Sequence, residues 1–316
     1  MNRLKLLNEL VDIGKIANGN IVYILGHKFT DTDSYISMLL IEKLLNKFGI
    51  NAVPCLLIEE EAIDSRTKRI IEDFNCKYIL NEIISSNDYF FLVDHNNFNE
   101  SYPEMKKENI LGIIDHHQDE GLIAPFRYIQ PAGSTTRIIY EMLEALDIHV
   151  SVEEKEQILI SLLVDTSFLM STKTNPEDIT LAKSLLKELG LNLDSLKKHY
   201  LVPTDLNLPI DQLAMNGLKE YKIDDYLVGS SYIEYLGDDK ELVYSKIPEI
   251  KRIVSDKKYD LFVYMLTDLT LGATEVMLIE GKNKDIYNIS FSQIASRGKT
   301  VMPIVREKIS QGILLG

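Results

Sequence analysis

The chain predicts an α/β protein, with a parallel sheet in its larger N-terminal part and a smaller α/β domain behind it. Three observations carry that prediction. From residue 21 to residue 190, short apolar, β-branched or aromatic runs alternate with segments of helical period, as repeated βα units do. The runs are apolar throughout, the mark of strands buried on both faces. Three of them give out directly before turns rich in aspartate and histidine, and in open α/β sheets ligands collect at the carboxyl ends of strands.

Taken in order, Ile21 to Leu25 reads as the first strand. Asp33 to Phe48 follows as an amphipathic helix, with Ile36, Leu39, Leu40, Leu44 and Leu45 at helical spacing behind the capping cluster Asp31-Thr32-Asp33-Ser34. Asn51 to Ile58 reads as a strand and Arg66 to Asp73 as a helix. Tyr89 to Val93, Ile110 to Ile114 and Phe126 to Ile129 are three further strands. Gly133-Ser134-Thr135-Thr136 caps a helix running to about Leu146; its N–H groups suit a phosphate as well as a plain cap. A helix from Val152 carries Asp165 near its end, and Pro176 opens another that finishes at Gly190. Between Leu191 and Pro209 the period weakens, which places a linker at 194–206 between a domain at 1–193 and one at 207–316. In the second domain, Tyr226 to Tyr235, Asp260 to Leu266, Glu275 to Ile279 and Ile286 to Phe291 read as strands. Leu242 to Asp256 and a segment from Val301 read as helices.

A length of 316 residues favours two domains, and 34 basic against 48 acidic residues leave a net charge of −14. That balance argues against a broad electrostatic grip on duplex nucleic acid or anionic lipid. An anionic substrate would need local cations. Cys55 and Cys76 show no CxxC spacing and read as buried free thiols of a reducing cytosol. No stretch approaches the ~18 apolar residues of a membrane span, so a soluble cytoplasmic protein is expected.

Four clusters carry the chemistry: His27-Lys28-Phe29-Thr30-Asp31-Thr32-Asp33-Ser34, Val93-Asp94-His95-Asn96, Ile114-Asp115-His116-His117 and Leu163-Val164-Asp165. Taken singly, Asp31 and Asp33 read as helix caps and Asp94 as a turn residue. Asp115-His116-His117 is stronger, because neighbouring residues at a strand end splay apart and serve different roles. Asp165 closes the apolar run Ile158 to Val164, where a carboxylate is costly unless it is paired or bound to metal. Together, five aspartates and three histidines would repel and lose solvation unless cations compensated them. Carboxylates mixed with imidazoles suit manganese, magnesium or cobalt better than a sulfur-ligated zinc site.

These clusters, in this order, resemble the DHH phosphoesterase superfamily, whose motif Asp115-His116-His117 matches. The second half is similar to the DHHA2 domain of family II, manganese-dependent inorganic pyrophosphatases and related exopolyphosphatases. That likeness rests on Ser296-Arg297-Gly298-Lys299-Thr300-Val301-Met302-Pro303 and on Leu218-Lys219-Glu220-Tyr221. The Gly-Gly-Gly-His motif of the DHHA1 branch is absent from the sequence. The resemblance implies an active site in the cleft between the domains, with two divalent ions, most simply manganese, and cobalt or magnesium as substitutes. His27, Asp31 and Asp94 would hold one ion; Asp33, Asp94, His116 and Asp165 would hold the other, with Asp94 bridging. His117 would contact substrate or its leaving oxygen, and Asp115 would orient an imidazole. Arg297, Lys299 and Lys219 would bind phosphate oxygens. Family analogy also implies a homodimer.

Two departures bear on the substrate. Phe29-Thr30 stands where the family's first motif carries Asn-Pro, and Gly298 stands where the pyrophosphatases carry a phosphate-binding lysine. Hydrolysis of pyrophosphate by a hydroxide bridging the two metals is the leading expectation. Exopolyphosphatase or nucleotide phosphoesterase activity at the same centre is the second. A metal-binding regulatory protein with little activity is the third.

Overall fold

In the computed structural model, residues 2–314 are described apart from 57–62, 77, 81–84, 86, 103–104 and 281–286. The chain divides into two compact units, Met1–Leu169 with Thr174–Leu201, and Met170–Lys173 with Val202–Gly316.

The first unit opens with helix α1 (Arg3–Ala17), capped by Asn2 and buried along Leu6, Leu10, Ile13 and Ala17. No sequence expectation covered it. Strand β1 (Val22–Leu25) leads to helix α2 (Thr32–Lys47), then to β2 (Ala52–Leu56), α3 (Ser65–Phe74), β3 (Ile79–Leu80), β4 (Tyr89–Val93), β5 (Ile110–Asp115) and β6 (Phe126–Ile129). Of the strand expected from Asn51, residues 57 and 58 lie outside the described residues. Helices α4 (Thr135–Ala145), α5 (Val152–Asp165), α6 (Pro176–Leu189) and α7 (Leu193–Tyr200) complete the unit. The six strands run parallel in the order β3-β2-β1-β4-β5-β6. Strands β1 and β5 are buried at every residue, which is why they read as unbroken apolar runs.

That strand order fixes where a ligand can sit. From β1 the chain builds outward through β2 to β3, then returns to the other side of β1 to lay down β4, β5 and β6. The reversal opens a crevice beyond the carboxyl ends of β1 and β4. The register sets Leu25 beside Leu92 and Val93 beside Ile114, so the three strand ends finish level.

Residues 194–200, expected as the start of a linker, instead form most of α7. The Asn192 side chain accepts from Ser195 N at its N-cap, and Leu196 and Tyr200 are buried. A single buried face over two turns is too short to register as a period. The four-residue segment Met170–Lys173 was likewise invisible as part of the second unit, because a strap with one bridge has no pattern of its own.

The second unit begins with α8 (Ile210–Ala214) and β7 (Lys219–Ile223), neither foreseen, followed by β8 (Tyr226–Tyr235), α9 (Lys240–Ser255), β9 (Leu261–Asp268), β10 (Ala273–Glu280), β11 (Tyr287–Phe291) and α10 (Met302–Ser310). Of the strand expected from Ile286, that residue lies outside the described residues. The sheet order is β11-β10-β9-β8-β7, parallel only between β8 and β9. One face packs on Val243, Ile247 and Ile250 of α9; the other packs on Val305 and Ile309 of α10. Among the described residues, no helix is long and apolar enough to cross a membrane.

Candidate metal centre

The four clusters converge within the first unit. His27 follows β1 by two residues, Asp94 follows β4 by one, and Asp115-His116-His117 ends β5. Asp31 and Asp33 stand at the start of α2, and Asp165 closes α5. Three groups of donor atoms result, each lying within 4.8 Å of one another: His27, Asp31 and Asp94; Asp33, His116 and Asp165; Asp94, His116 and His117.

Asp94 lies between the two imidazoles. Its Oδ2 is 3.5 Å from His27 Nε2 and its Oδ1 is 3.5 Å from His116 Nε2. Asp31 Oδ2 stands 3.6 Å from His27 Nε2, and Asp165 Oδ2 stands 3.6 Å from His116 Nε2. These separations exceed an N–H···O hydrogen bond of about 2.7–3.2 Å. Donors about 2.1 Å from a common ion are roughly 3–3.5 Å apart, so this spacing suits ligands sharing a cation.

The tautomers agree with that reading. His116 Nδ1 is 3.0 Å from the carbonyl of Ala132. A carbonyl can only accept, so Nδ1 carries the proton and the Nε2 lone pair faces the carboxylates. His95 donates from Nδ1 to Val93 O at 2.9 Å, and its Nε2 accepts from Ser101. Burial holds His95 down at about 4, so the ring is neutral and ties the loop after β4 to Ser101. It belongs to the scaffold of the site.

Asp31 fills both roles the sequence left open. Its Oδ1 accepts from Ser34 N at 3.0 Å as the N-cap of α2, and its Oδ2 is the atom near His27. Asp33 caps a helix other than its own. It accepts from Thr135 N at 2.6 Å, from Thr136 N at 3.0 Å, from the Thr136 hydroxyl and from Ser161 Oγ at 2.9 Å. The N-terminus of α4 is therefore occupied by a carboxylate of the protein, which answers the alternative of an external phosphate there. Thr135 Oγ1 also donates to Asp94 Oδ1 at 2.9 Å. Gly133, just before α4, packs closely on Asp178: its N–H donates to Asp178 Oδ1 at 3.0 Å, and a Cβ there would meet Asp178 Oδ2 at 2.5 Å.

Burial, then the charges of Asp94, Asp165 and Asp31, push the Asp33 carboxyl well above the usual carboxylate range, against the pull of Thr136. Such a group ionises fully only when positive charge joins it. Two divalent ions would supply that charge, and the donor set fits them.

Asp115 stands behind the cluster. Burial would raise its carboxyl, yet hydrogen bonds from His117 and Asn96 hold it down at about 2. It accepts from His117 Nδ1 at 2.8 Å and from Asn96 Nδ2 at 2.5 Å. His117, whose side chain is 43% exposed, thereby presents Nε2 outward. Asn96 fixes Asp115 and, through Oδ1, accepts from Glu120 N. Thr135, Thr136 and Ser161 were missed as supporting residues. The signals were a Thr-Thr pair just inside a helix start and one serine inside the apolar run Ile158 to Val164.

In the second unit, Arg297 donates from Nη1 to Gly217 O at 2.6 Å and to Ser230 O at 3.4 Å, with its guanidinium over the Tyr232 ring. Lys219 starts β7 and pairs in register with Ser230. The sheet therefore brings Arg297 and Lys219 to one end of the β7–β8 hairpin. Lys299 sits in the π-helical turn Arg297–Val301 that leads into α10. Gly298, in the same turn, has open space where a side chain would grow.

The DHH family, N-terminal domain, matches residues 21–166, a span holding every member of the metal-donor cluster. Over 306 residues the chain is 26% identical to a Bacillus cereus protein named "Probable manganese-dependent inorganic pyrophosphatase", covering 90% of this chain and 98% of that one. A Bacillus licheniformis relative of the same name is 26% identical over 309 residues, covering 91% and 98%. Among solved structures, a Methanococcus jannaschii protein assigned to the family II inorganic pyrophosphatases matches with a TM-score of 0.73 at 24% identity, covering 90% of this chain and 98% of that one. An exopolyphosphatase-related protein from Bacteroides fragilis matches with a TM-score of 0.52 at 15% identity, covering 97% and 98%. These likenesses show that the fold of both units recurs together.

Proposed function

We propose that this protein is a manganese-dependent phosphohydrolase that splits inorganic pyrophosphate into two orthophosphates. The observation that carries the reading is Asp94, with one carboxylate oxygen toward His27 and the other toward His116. A carboxylate so placed suits two ions side by side. Bound there, two divalent ions lower the pKa of a water and neutralise charge on the phosphate oxygens. The names of the relatives supply the metal and the substrate.

The chain's own residues take the remaining roles. His27, Asp31 and Asp94 would hold one ion; Asp33, Asp94, His116 and Asp165 would hold the other. Thr135, Thr136 and Ser161 keep Asp33 and Asp94 in place through the hydrogen bonds described above. His117, steadied by Asp115, would offer Nε2 to the substrate or its leaving oxygen. Arg297, Lys219 and Lys299 would bind phosphate oxygens through charge-assisted hydrogen bonds. Homodimer formation and residence in the cytoplasm complete the proposal; size-exclusion chromatography tests the first.

A second reading, hydrolysis of short polyphosphate or a nucleotide at the same centre, is favoured by the open space at Gly298. Turnover of pyrophosphate, tripolyphosphate and ATP with manganese separates the two. Pyrophosphate should be the preferred substrate, and equal or lower turnover on it would transfer the assignment to the second reading. Because a side chain at Gly298 meets no wall, Gly298→Lys tests the gap directly. A gain of more than about tenfold on pyrophosphate alone, the worth of one charge-assisted contact, would show that the natural substrate is another anhydride.

A further inference from the structure

The turn that carries Arg297 and Lys299 is held from outside by a residue far away in sequence. Within the turn, Thr300 N and Val301 N both donate to Ser296 O, at 2.9 and 3.0 Å, and Lys299 N donates to Ser296 Oγ at 3.3 Å. These three bonds of the turn thus converge on Ser296. A π turn is uncommon and recurs at functional sites, and Gly298 at its centre makes no side-chain contact that would stiffen it.

Ser296 is itself fixed by Thr172. The Ser296 N–H donates to Thr172 Oγ1 at 3.0 Å, and the same hydroxyl lies 2.7 Å from Thr300 Oγ1. One oxygen therefore grips the residue before Arg297 and the residue after Lys299. The backbone of the strap secures that oxygen: Thr172 N donates to Ile294 O at 2.8 Å, and Ile294 N donates to Met170 O at 3.3 Å. On the other side, Ala295 N donates to Thr274 Oγ1 at 3.0 Å. Thr274 acts on the approach to the turn; Thr172 touches both of its ends.

We propose that Thr172 is a positioning residue for anion binding by the Arg297–Val301 turn. The proposal rests on the reading of Arg297 and Lys299 as phosphate-binding residues. Two donor bonds of Arg297 already go to Gly217 O and Ser230 O. Its remaining N–H groups can meet a phosphate only if the backbone of residue 297 stays where Ser296 places it. Loss of the Thr172 hydroxyl leaves every charge present and frees the turn. Substrate affinity then falls, whereas the step carried by the aspartate and histidine cluster proceeds at its former rate.

The test is titration calorimetry of the manganese-loaded full chain with imidodiphosphate, a hydrolysis-resistant analogue of pyrophosphate, alongside steady-state kinetics. Thr172→Val should weaken analogue binding and raise KM by about tenfold, the fold-change for one lost hydrogen bond, with kcat within about twofold. Thr172→Ser, which keeps the hydroxyl, should restore both. Wild-type affinity in Thr172→Val, or failure of Thr172→Ser to restore it, overturns the positioning role. Arg297→Ala separates the two levels: if it too binds the analogue as the wild type does, the phosphate-binding reading itself fails. Should Thr172→Val not fold, Thr300→Val removes the other hydroxyl of the pair and carries the same expectation and the same refutation.

Discussion

The backbone of Asp94 sits at φ +62°, in the left-handed region that asparagine and aspartate tolerate better than other side chains. Asp94→Asn therefore keeps the turn and the shape while removing the charge. We expect it to abolish metal-dependent hydrolysis with circular dichroism unchanged, and retained activity would refute the bridging role. His95 gives a pH prediction. Its folded pKa, about 4, lies below the ordinary 6.5. The folded state thus binds the proton less readily than the unfolded chain does. Its contribution is complete above pH 6.5 and is lost as pH falls from 6.5 toward 4, to a total of roughly 3 kcal/mol. Denaturant unfolding between pH 7 and 4 should show this slope in the wild type and a shallower one in His95→Gln. The candidate donors were legible in the sequence because aspartate and histidine at strand ends are conspicuous. Most of the hydrogen bonds behind them were not, since Thr135 and Ser161 are ordinary residues until folding places them.

At the level of elements, α4 sets the electrostatics of the centre. Its first two N–H groups, from Thr135 and Thr136, meet Asp33, a residue about a hundred positions earlier. Thr136→Val removes the hydroxyl and keeps both amides. Manganese affinity, followed by titration, should fall by about tenfold, as for other supporting residues of metal sites. The turn after α5 makes a separate prediction. Ser167, Phe168 and Leu169 lie at φ +49°, +57° and +66° in succession, and none is glycine. The left-handed region costs an L-residue about 1 kcal/mol or more. Phe168 is buried and must stay, but Leu169→Gly should stabilise the fold by up to about 1 kcal/mol in denaturant unfolding. The sequence announced α2, α5 and α6 through their caps and apolar period. It hid β7, where Lys219-Glu220-Tyr221-Lys222 lies in an edge strand with a mostly polar face, and it hid α7 for want of length.

For the molecule as a whole, the candidate metal donors and the proposed phosphate-binding residues fall in different units. All of the clustered donors belong to the first unit, and Arg297, Lys219 and Lys299 belong to the second. Manganese at a hundred times its dissociation constant should stabilise the native state by about 2.7 kcal/mol per site. The melting temperature should then rise by roughly 5 °C or more, a rise that Arg297→Ala keeps and Asp94→Asn loses. The break in period after Gly190 led to the expectation of two domains, whereas the return of Met170–Lys173 to the second unit left no signal in the sequence. The composition of the cluster also imposes an order in time. Asp31, Asp33, Asp94, Asp115 and Asp165 bring five carboxylates to a chain that is already anionic overall. Until divalent ions enter, that corner repels a multiply charged anion. On the proposed function manganese therefore arrives first, and a cell short of manganese would leave pyrophosphate in solution instead of trapping it on idle enzyme.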